Sequence, residues 1–344
     1  MPAPLRPLSN PPNPWAQSEV EYLEGEAPPA GLEVYEDATR GILAHNDSPD
    51  VGFSWSVNPY RGCFHACAYC YARPSHEYLS FGAGTDFERK IVVKKRAPEL
   101  LREAFDAPKW EGEPVMFSGV TDCYQPLEAS YRLTRGCLEV CVEYRNPAGI
   151  ITKAPLVERD IDVLQELAKV ARVNIAVSVP IWNEAHARAI EPFVTTPARR
   201  MRVIERLAAA GLRVGVMVAP IIPGLNDEDM GDVLSAAKDA GATWAGTVLL
   251  RLPGAVGEVF EGRLRAALPL RAEKVLHRIR DTRGGKMYDS RFEVRGRGEG
   301  PYADAVRSLF EQRARALGLA TGGGSVGDDP PMTFRRPTAQ LPLF

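Results

Sequence analysis

The chain has 344 residues, enough for one large α/β domain with appendages or for two domains. With 45% hydrophobic residues, 25% charged residues and a formal net charge of −2, it has an ordinary globular composition, and its overall charge singles out neither nucleic acid nor membrane. No apolar run approaches the roughly 18 residues of a membrane span, and Met1-Pro2-Ala3-Pro4-Leu5 does not open a signal peptide. A cytoplasmic location is therefore expected, where six cysteines read as metal ligands, catalytic groups or buried thiols rather than disulfides.

Residues 1–50 read as an N-terminal arm, proline-rich over its first 30 residues, where Asn10-Pro11-Pro12-Asn13-Pro14 blocks regular structure. A first strand at Phe53–Val57 leads into a cysteine loop. Lys90–Lys95 reads as a short strand and Pro98–Phe105 as a helix with proline near its start. Strands at Pro114–Phe117, Gly149–Thr152, Val173–Val179, Leu212–Ala219 and Trp244–Leu250 then alternate with helices. The helices are Ser130–Tyr144, Arg159–Val170, Pro197–Ala210 (stopped by Gly211) and Asp227–Ala240. Roughly six strand–helix units predict an α/β domain over 51–260 with a parallel sheet, open rather than closed. A doubly wound sheet is the rival, but no G-x-G-x-x-G follows a strand.

Residues 261–318 form a separate basic lobe: within 261–316, 14 Lys/Arg stand against 8 Asp/Glu. Such a lobe would attract a phosphate-bearing substrate or form a solvated arginine-rich surface. Residues 319–344 read as a flexible tail opening on Thr321-Gly322-Gly323-Gly324-Ser325.

Cys63-x3-Cys67-x2-Cys70 follows the first strand. Three thiolates at this spacing can hold three irons of a cubane and leave the fourth without a protein ligand. The alternatives are a zinc site completed by His65 or His76, and, for Cys123, Cys137 and Cys141, a second cluster or buried thiols. His186 and His277 read as ordinary surface or packing residues.

The C-x3-C-x2-C motif, with aromatic Tyr69 before its last cysteine, resembles the radical S-adenosylmethionine (radical SAM) superfamily. The flanks Asn58-Pro59-Tyr60-Arg61-Gly62-Cys63 and Tyr69-Cys70-Tyr71-Ala72-Arg73-Pro74 resemble a bacterial family related to spore photoproduct lyase, over residues 35–318. The resemblance implies a partial (βα)6 TIM-type barrel. It also implies a [4Fe-4S] cluster on Cys63, Cys67 and Cys70, with S-adenosylmethionine as the second cofactor. Reductive cleavage to a 5′-deoxyadenosyl radical would follow, with electrons from a flavodoxin or ferredoxin. By the same resemblance Ser118 and Thr121 lie on the cofactor's amino side, Lys153 pairs with its carboxylate and Ser178 sits nearby. Pro220–Asp227 would line the adenine, or be a simple strand-to-helix turn. Tyr69 and Tyr71 match two tyrosines that help return a hydrogen atom. Gly119 replaces the lyase's hydrogen-donor cysteine, which makes Cys123 a candidate substitute and leaves lyase chemistry open.

The expected function is radical chemistry on DNA or RNA, in repair or modification. The rivals are the same chemistry on a protein, peptide or metabolite, and a non-catalytic Fe–S or zinc protein. Finally, Gln340-Leu341-Pro342-Leu343-Phe344 resembles the motif with which bacterial proteins dock on the DNA sliding clamp, Gln340, Leu341, Leu343 and Phe344 being the anchors.

Overall fold

The computed structural model describes residues 6–8, 31–321 and 332–337. Strands β1 (Arg6–Leu8) and β2 (Glu33–Glu36) precede β3 (Leu43–His45), which pairs antiparallel with β4 (Trp55–Val57). Next, β5 (Tyr60–Arg61) enters the cysteine loop, and α1 (Thr85–Arg89) and β6 (Lys90–Val93) follow it. Then come α2 (Ala97–Asp106), β7 (Val115–Phe117), α3 (Glu128–Tyr131), α4 (Leu133–Tyr144) and β8 (Ala148–Thr152). The alternation continues with α5 (Ile161–Val170), β9 (Val173–Ser178), α6 (Glu184–Ile190), α7 (Pro197–Ala209) and β10 (Val214–Ile221). It ends with α8 (Met230–Asp239) and β11 (Trp244–Leu249). Helices α9 (Val256–Ala267), α10 (Pro269–Asp281) and α11 (Pro301–Ala316) build the basic lobe before β12 (Ala320–Thr321).

The main sheet runs β12-β11-β10-β9-β8-β7-β4-β3, and all neighbours from β4 to β12 are parallel. Its two ends do not pair with each other, so the six units make an open barrel, as the run of strands and helices predicts. One rung links Val57, Phe117, Ile150, Ile175 and Val214, all buried. Helices cover its outer face through residues such as Leu101, Phe105, Leu138, Leu164 and Leu207, which is why these strands are apolar throughout rather than alternating. Among the described residues, no helix is long and apolar enough to cross a membrane.

Three differences from the sequence reading have physical causes. The helix expected over Ser130–Tyr144 breaks at Arg132, which adopts φ +53°. The buried Glu128 carboxylate accepts from Thr134 N (2.9 Å) and Arg135 N (3.2 Å), capping a new helix start. The N-terminal arm, read without strands, supplies β2 to a second sheet, where it pairs with β6, the strand expected over Lys90–Lys95, which in turn pairs with β5.

The third difference lies in the residues read as a flexible tail. Residues 332–337 dock across the C-terminal ends of α2 and α4. Arg336 donates to Phe105 O, Ala107 O and Trp110 O at 2.8–3.0 Å, and Arg335 N donates to Tyr144 O at 2.8 Å. Two of these carbonyls, Phe105 O and Tyr144 O, lie in last turns of helices, which leave such groups open. Phe334 packs on Phe105 and Tyr144. Gly112 makes room for it: at φ +91°, a Cβ there would lie 2.2 Å from Phe334 Cβ. The clamp-like motif at Gln340–Phe344 lies outside the described residues.

Phe334→Ala should lower stability in chemical denaturation by about 1–2 kcal/mol, less than the ~3–5 kcal/mol of a fully buried phenylalanine because the ring is half-buried. An unchanged midpoint would show that the strap adds nothing.

Candidate radical SAM cofactor site

The loop between β5 and α1 is shaped by contacts within the protein. Gly62 takes φ +78°, and a Cβ there would lie 2.8 Å from the His76 ring and 2.9 Å from Phe87 O. Cys63 N bonds Phe87 O at 2.9 Å, and Ala66 turns left-handed at φ +55°. Tight turns follow, with Cys70 N on Cys67 O and Arg73 N on Cys70 O, each at 3.2 Å. Such a loop leaves carbonyls that the interior must satisfy, and Arg73, 0% exposed, does so. Its guanidinium donates to Ala66 O, Cys67 O, Ala83 O and Gly84 O at 2.9–3.2 Å and pairs with Glu88 at 2.6 Å.

The segment after β7 holds the loop from the other side. Thr121 donates its hydroxyl to Gly62 O (2.6 Å), and Gln125 donates to Gly62 O and Thr121 Oγ1, both at 3.1 Å. The Thr121 hydroxyl is thus engaged in positioning the loop. Ser118, in a strained left-handed conformation at φ +81°, accepts from Cys123 N at 3.1 Å.

Asp122 ties the loop to β8. It accepts from Thr152 Oγ1 (2.7 Å), Lys153 N (2.8 Å) and Tyr124 N (2.9 Å), and lies 3.4 Å from His65 Nδ1. Burial would raise the Asp122 carboxyl, but His65 and these donors bring it down to about 2. Burial pushes the other way on His65, yet Cys63 and Asp122 raise it to about 10, and His65 in turn lowers the Cys63 thiol against burial. Burial raises the Cys67 and Cys70 thiols, so a ligand that needs thiolates would release protons on binding.

Lys153 follows the end of β8, half-buried, with its ammonium 5.7 Å from the Tyr69 ring centroid. Burial alone would lower it, but Cys67, Glu191 and Asp122 keep it above the ordinary lysine range. The cation therefore faces the cysteine loop. Tyr69 is buried and its hydroxyl donates to Glu191, which pairs with Arg200 at 2.7 Å. Arg200 also donates to Ser178 O at 2.9 Å, fixing the end of β9. Beyond β10, Asn226 donates to Pro180 O (2.7 Å) and Pro220 O (3.0 Å), so the Pro220–Asp227 loop is pinned to its neighbour.

The two tyrosines differ. Tyr71 is 49% exposed, and its hydroxyl donates to Gly119 O at 2.8 Å. A side chain at Gly119 would start 3.0 Å from Ser56 Oγ and 3.2 Å from Asn58 Nδ2. Cys123 is instead sealed in the core, as are Cys137 and Cys141, with burial raising all three thiols.

The residues fit an iron–sulfur cubane. Cys63 and Cys67 are buried, Cys70 is half-buried, and Ala66 and Ala68 between them and Ala72 just after them are small. Among the described residues, no three His, Cys, Asp or Glu side chains converge on one ion. His65 Nδ1 lies 3.4 Å from Asp122 and His76 Nε2 2.9 Å from Lys90 O, contacts that orient both rings. Asp122, Glu191 and Arg200 escaped the sequence reading as site residues, and His65 entered it only as a zinc ligand.

Comparisons with known proteins agree. The family model described as the Radical SAM superfamily matches residues 57–237. An uncharacterised protein of Mycobacterium tuberculosis is 39% identical over 219 residues, which are 63% of this chain and 64% of that protein. One from Methanocaldococcus jannaschii is 30% identical over 182 residues, covering 53% and 66%. The chain thus spans just under two thirds of the length of these relatives. Spore photoproduct lyase complexed with dinucleoside spore photoproduct shares the fold, with a TM-score of 0.60 at 13% identity over 84% of this chain and 81% of that one. A mutant of that lyase, with bound AdoMet and dinucleoside spore photoproduct, gives 0.56 at 13% identity over 80% and 78%. With its family model matched over more than half its length and its three cysteines set in the loop after the first barrel strand, the chain belongs to the radical SAM superfamily, whose members use a [4Fe-4S] cluster and S-adenosylmethionine.

Proposed function

We propose that this chain is a cytoplasmic radical SAM enzyme acting on DNA or RNA, in repair or modification. The observation that carries the nucleic-acid reading is the position of the basic lobe. Gly296 O accepts from Leu249 N at 2.8 Å, Arg283 donates to Leu250 O at 2.8 Å, and Tyr302 bonds Asp227. The arginine-rich lobe therefore seats on the strand ends around the barrel mouth, where the cysteine loop also opens. Positive charge at that rim would gather a polyanion.

Cys63, Cys67 and Cys70 would hold the cluster, and Lys153 would pair with the carboxylate of S-adenosylmethionine. When bound, these cofactors supply a reductively generated 5′-deoxyadenosyl radical. The protein's own task is to orient substrate and manage hydrogen. Tyr69, committed to Glu191, is a positioning residue for Lys153 and the loop. Tyr71 is the hydrogen carrier in this reading, because its hydroxyl reaches the Gly119 carbonyl while Cys123 faces the core. An electron donor such as flavodoxin or ferredoxin, and the sliding clamp through Gln340, Leu341, Leu343 and Phe344, are the proposed partners.

The direct test incubates reduced, cluster-loaded protein with deuterated DNA or RNA carrying damaged or modified bases. Deuterium appearing in 5′-deoxyadenosine supports the reading; label arriving only from peptides or metabolites contradicts it. Lys153→Ala should weaken cofactor binding about tenfold to a hundredfold, the worth of a lost charge-assisted hydrogen bond, and unchanged calorimetric affinity would remove Lys153 from the site. Tyr71→Phe should leave cofactor cleavage intact and divert substrate to side products, whereas identical products would deny it the carrier role.

A further inference from the structure

We infer that Arg251 is an anion-binding residue of the substrate site, holding a backbone phosphate of a nucleic-acid strand beside the Tyr71 ring. The inference rests on the nucleic-acid reading above and assigns a residue to it.

Arg251 lies just past β11, at the barrel mouth. The backbone before it is tied on both sides: Leu249 N to Gly296 O and Leu250 N to Ile221 O, each at 2.8 Å. Its guanidinium carbon sits 5.6 Å from the Tyr71 ring centroid, and the Tyr71 hydroxyl is fixed on Gly119 O. The side chain is therefore placed by packing rather than by an acid.

Among the described residues no carboxylate bonds it, although its charge is felt by Asp50. Among the described residues the Arg251 guanidinium makes no hydrogen bond or ion pair, and its Nε is buried without a partner. The nearby acid, Asp50, is already engaged by Glu293 N and by Arg295. Other buried arginines differ. Nε of Arg200 and of Arg283 also lacks a partner, but their remaining nitrogens bind Glu191, Ser178 O, Leu250 O, Val294 O and Arg295 O. An unsatisfied buried donor is a cost to the folded chain, so a ligand that brings the missing acceptor binds with advantage.

Phosphate fits best. A guanidinium presents a planar fork that matches two phosphate oxygens. The half-exposed Tyr71 ring beside it offers a face on which an unpaired base can stack. Lys153 faces Cys67, and its charge is spent on the cofactor's carboxylate; Arg251 is left for the substrate.

The test uses full-length, cluster-loaded protein, as wild type, Arg251→Gln and Arg251→Lys. Affinity for a short single-stranded oligodeoxythymidylate is measured over a range of salt, and affinity for S-adenosylmethionine separately. In Arg251→Gln, oligonucleotide binding should fall about tenfold and the slope of log K against log salt should shrink by about 0.7, the share of one phosphate contact on a single strand. Arg251→Lys should keep the slope, and both variants should bind S-adenosylmethionine as wild type does. Wild-type affinity and slope in Arg251→Gln would overturn the assignment and leave the nucleic-acid reading standing. Loss of S-adenosylmethionine binding would move Arg251 to the cofactor and overturn it as well. A wild type that binds S-adenosylmethionine but no oligonucleotide would defeat the nucleic-acid reading, and this inference with it.

Discussion

The site depends on one buried cation. Arg73 sits inside a loop whose carbonyls would otherwise point into protein without donors, and its fork collects four of them. Glu88 balances the charge. The arrangement places the loop's stability within the loop's own architecture. A substitution that kept the charge but lost the fork, such as lysine, would satisfy only part of this set. Removing the cation altogether would leave several buried acceptors open, at roughly 1–3 kcal/mol each.

Around that clip, two polar chains carry the loop's position to the strand ends. One runs from Cys63 through His65 to Asp122 and on to Thr152 and Lys153. The other runs from Tyr69 through Glu191 and Arg200 to Ser178. Each joins elements far apart in sequence, and each is buried, so breaking it costs more than a surface pair would. Leaving the Glu191 or Arg200 charge without its partner would cost about 3–5 kcal/mol. The cations that face the mouth are thus held by packing and by loop geometry, while the charges behind them are neutralised.

The barrel was legible because parallel strands buried on both faces read as apolar runs, and the cluster because three cysteines at short spacing need no tertiary knowledge. Lys153 and Ser178 stood out only through the resemblance; the structure sets both at the ends of such strands. What hid were contacts between distant segments. Glu128 caps a helix start only because α3 turns it inward, and nothing in Ser130–Tyr144 announces a break at Arg132. Thr121 reads as a free hydroxyl until Gly62 O is brought beside it. Cys123 reads as a donor candidate until its thiol is seen in the core. Residues 332–337 look like part of a tether, but Phe334 and Arg336 find the open ends of α2 and α4. In the same way Arg251 is one arginine among many until its lack of a carboxylate partner becomes visible.

The central claim is that Cys63, Cys67 and Cys70 would hold a [4Fe-4S] cluster and that Lys153 would pair with the carboxylate of S-adenosylmethionine beside it. Electron paramagnetic resonance of the reduced, anaerobically prepared protein, recorded with and without S-adenosylmethionine, addresses it most directly. The account predicts a cubane signal that changes shape when S-adenosylmethionine is added, because the site would hold the two cofactors in contact. A signal indifferent to S-adenosylmethionine, or protein that takes up zinc in place of iron and sulfide, would contradict it.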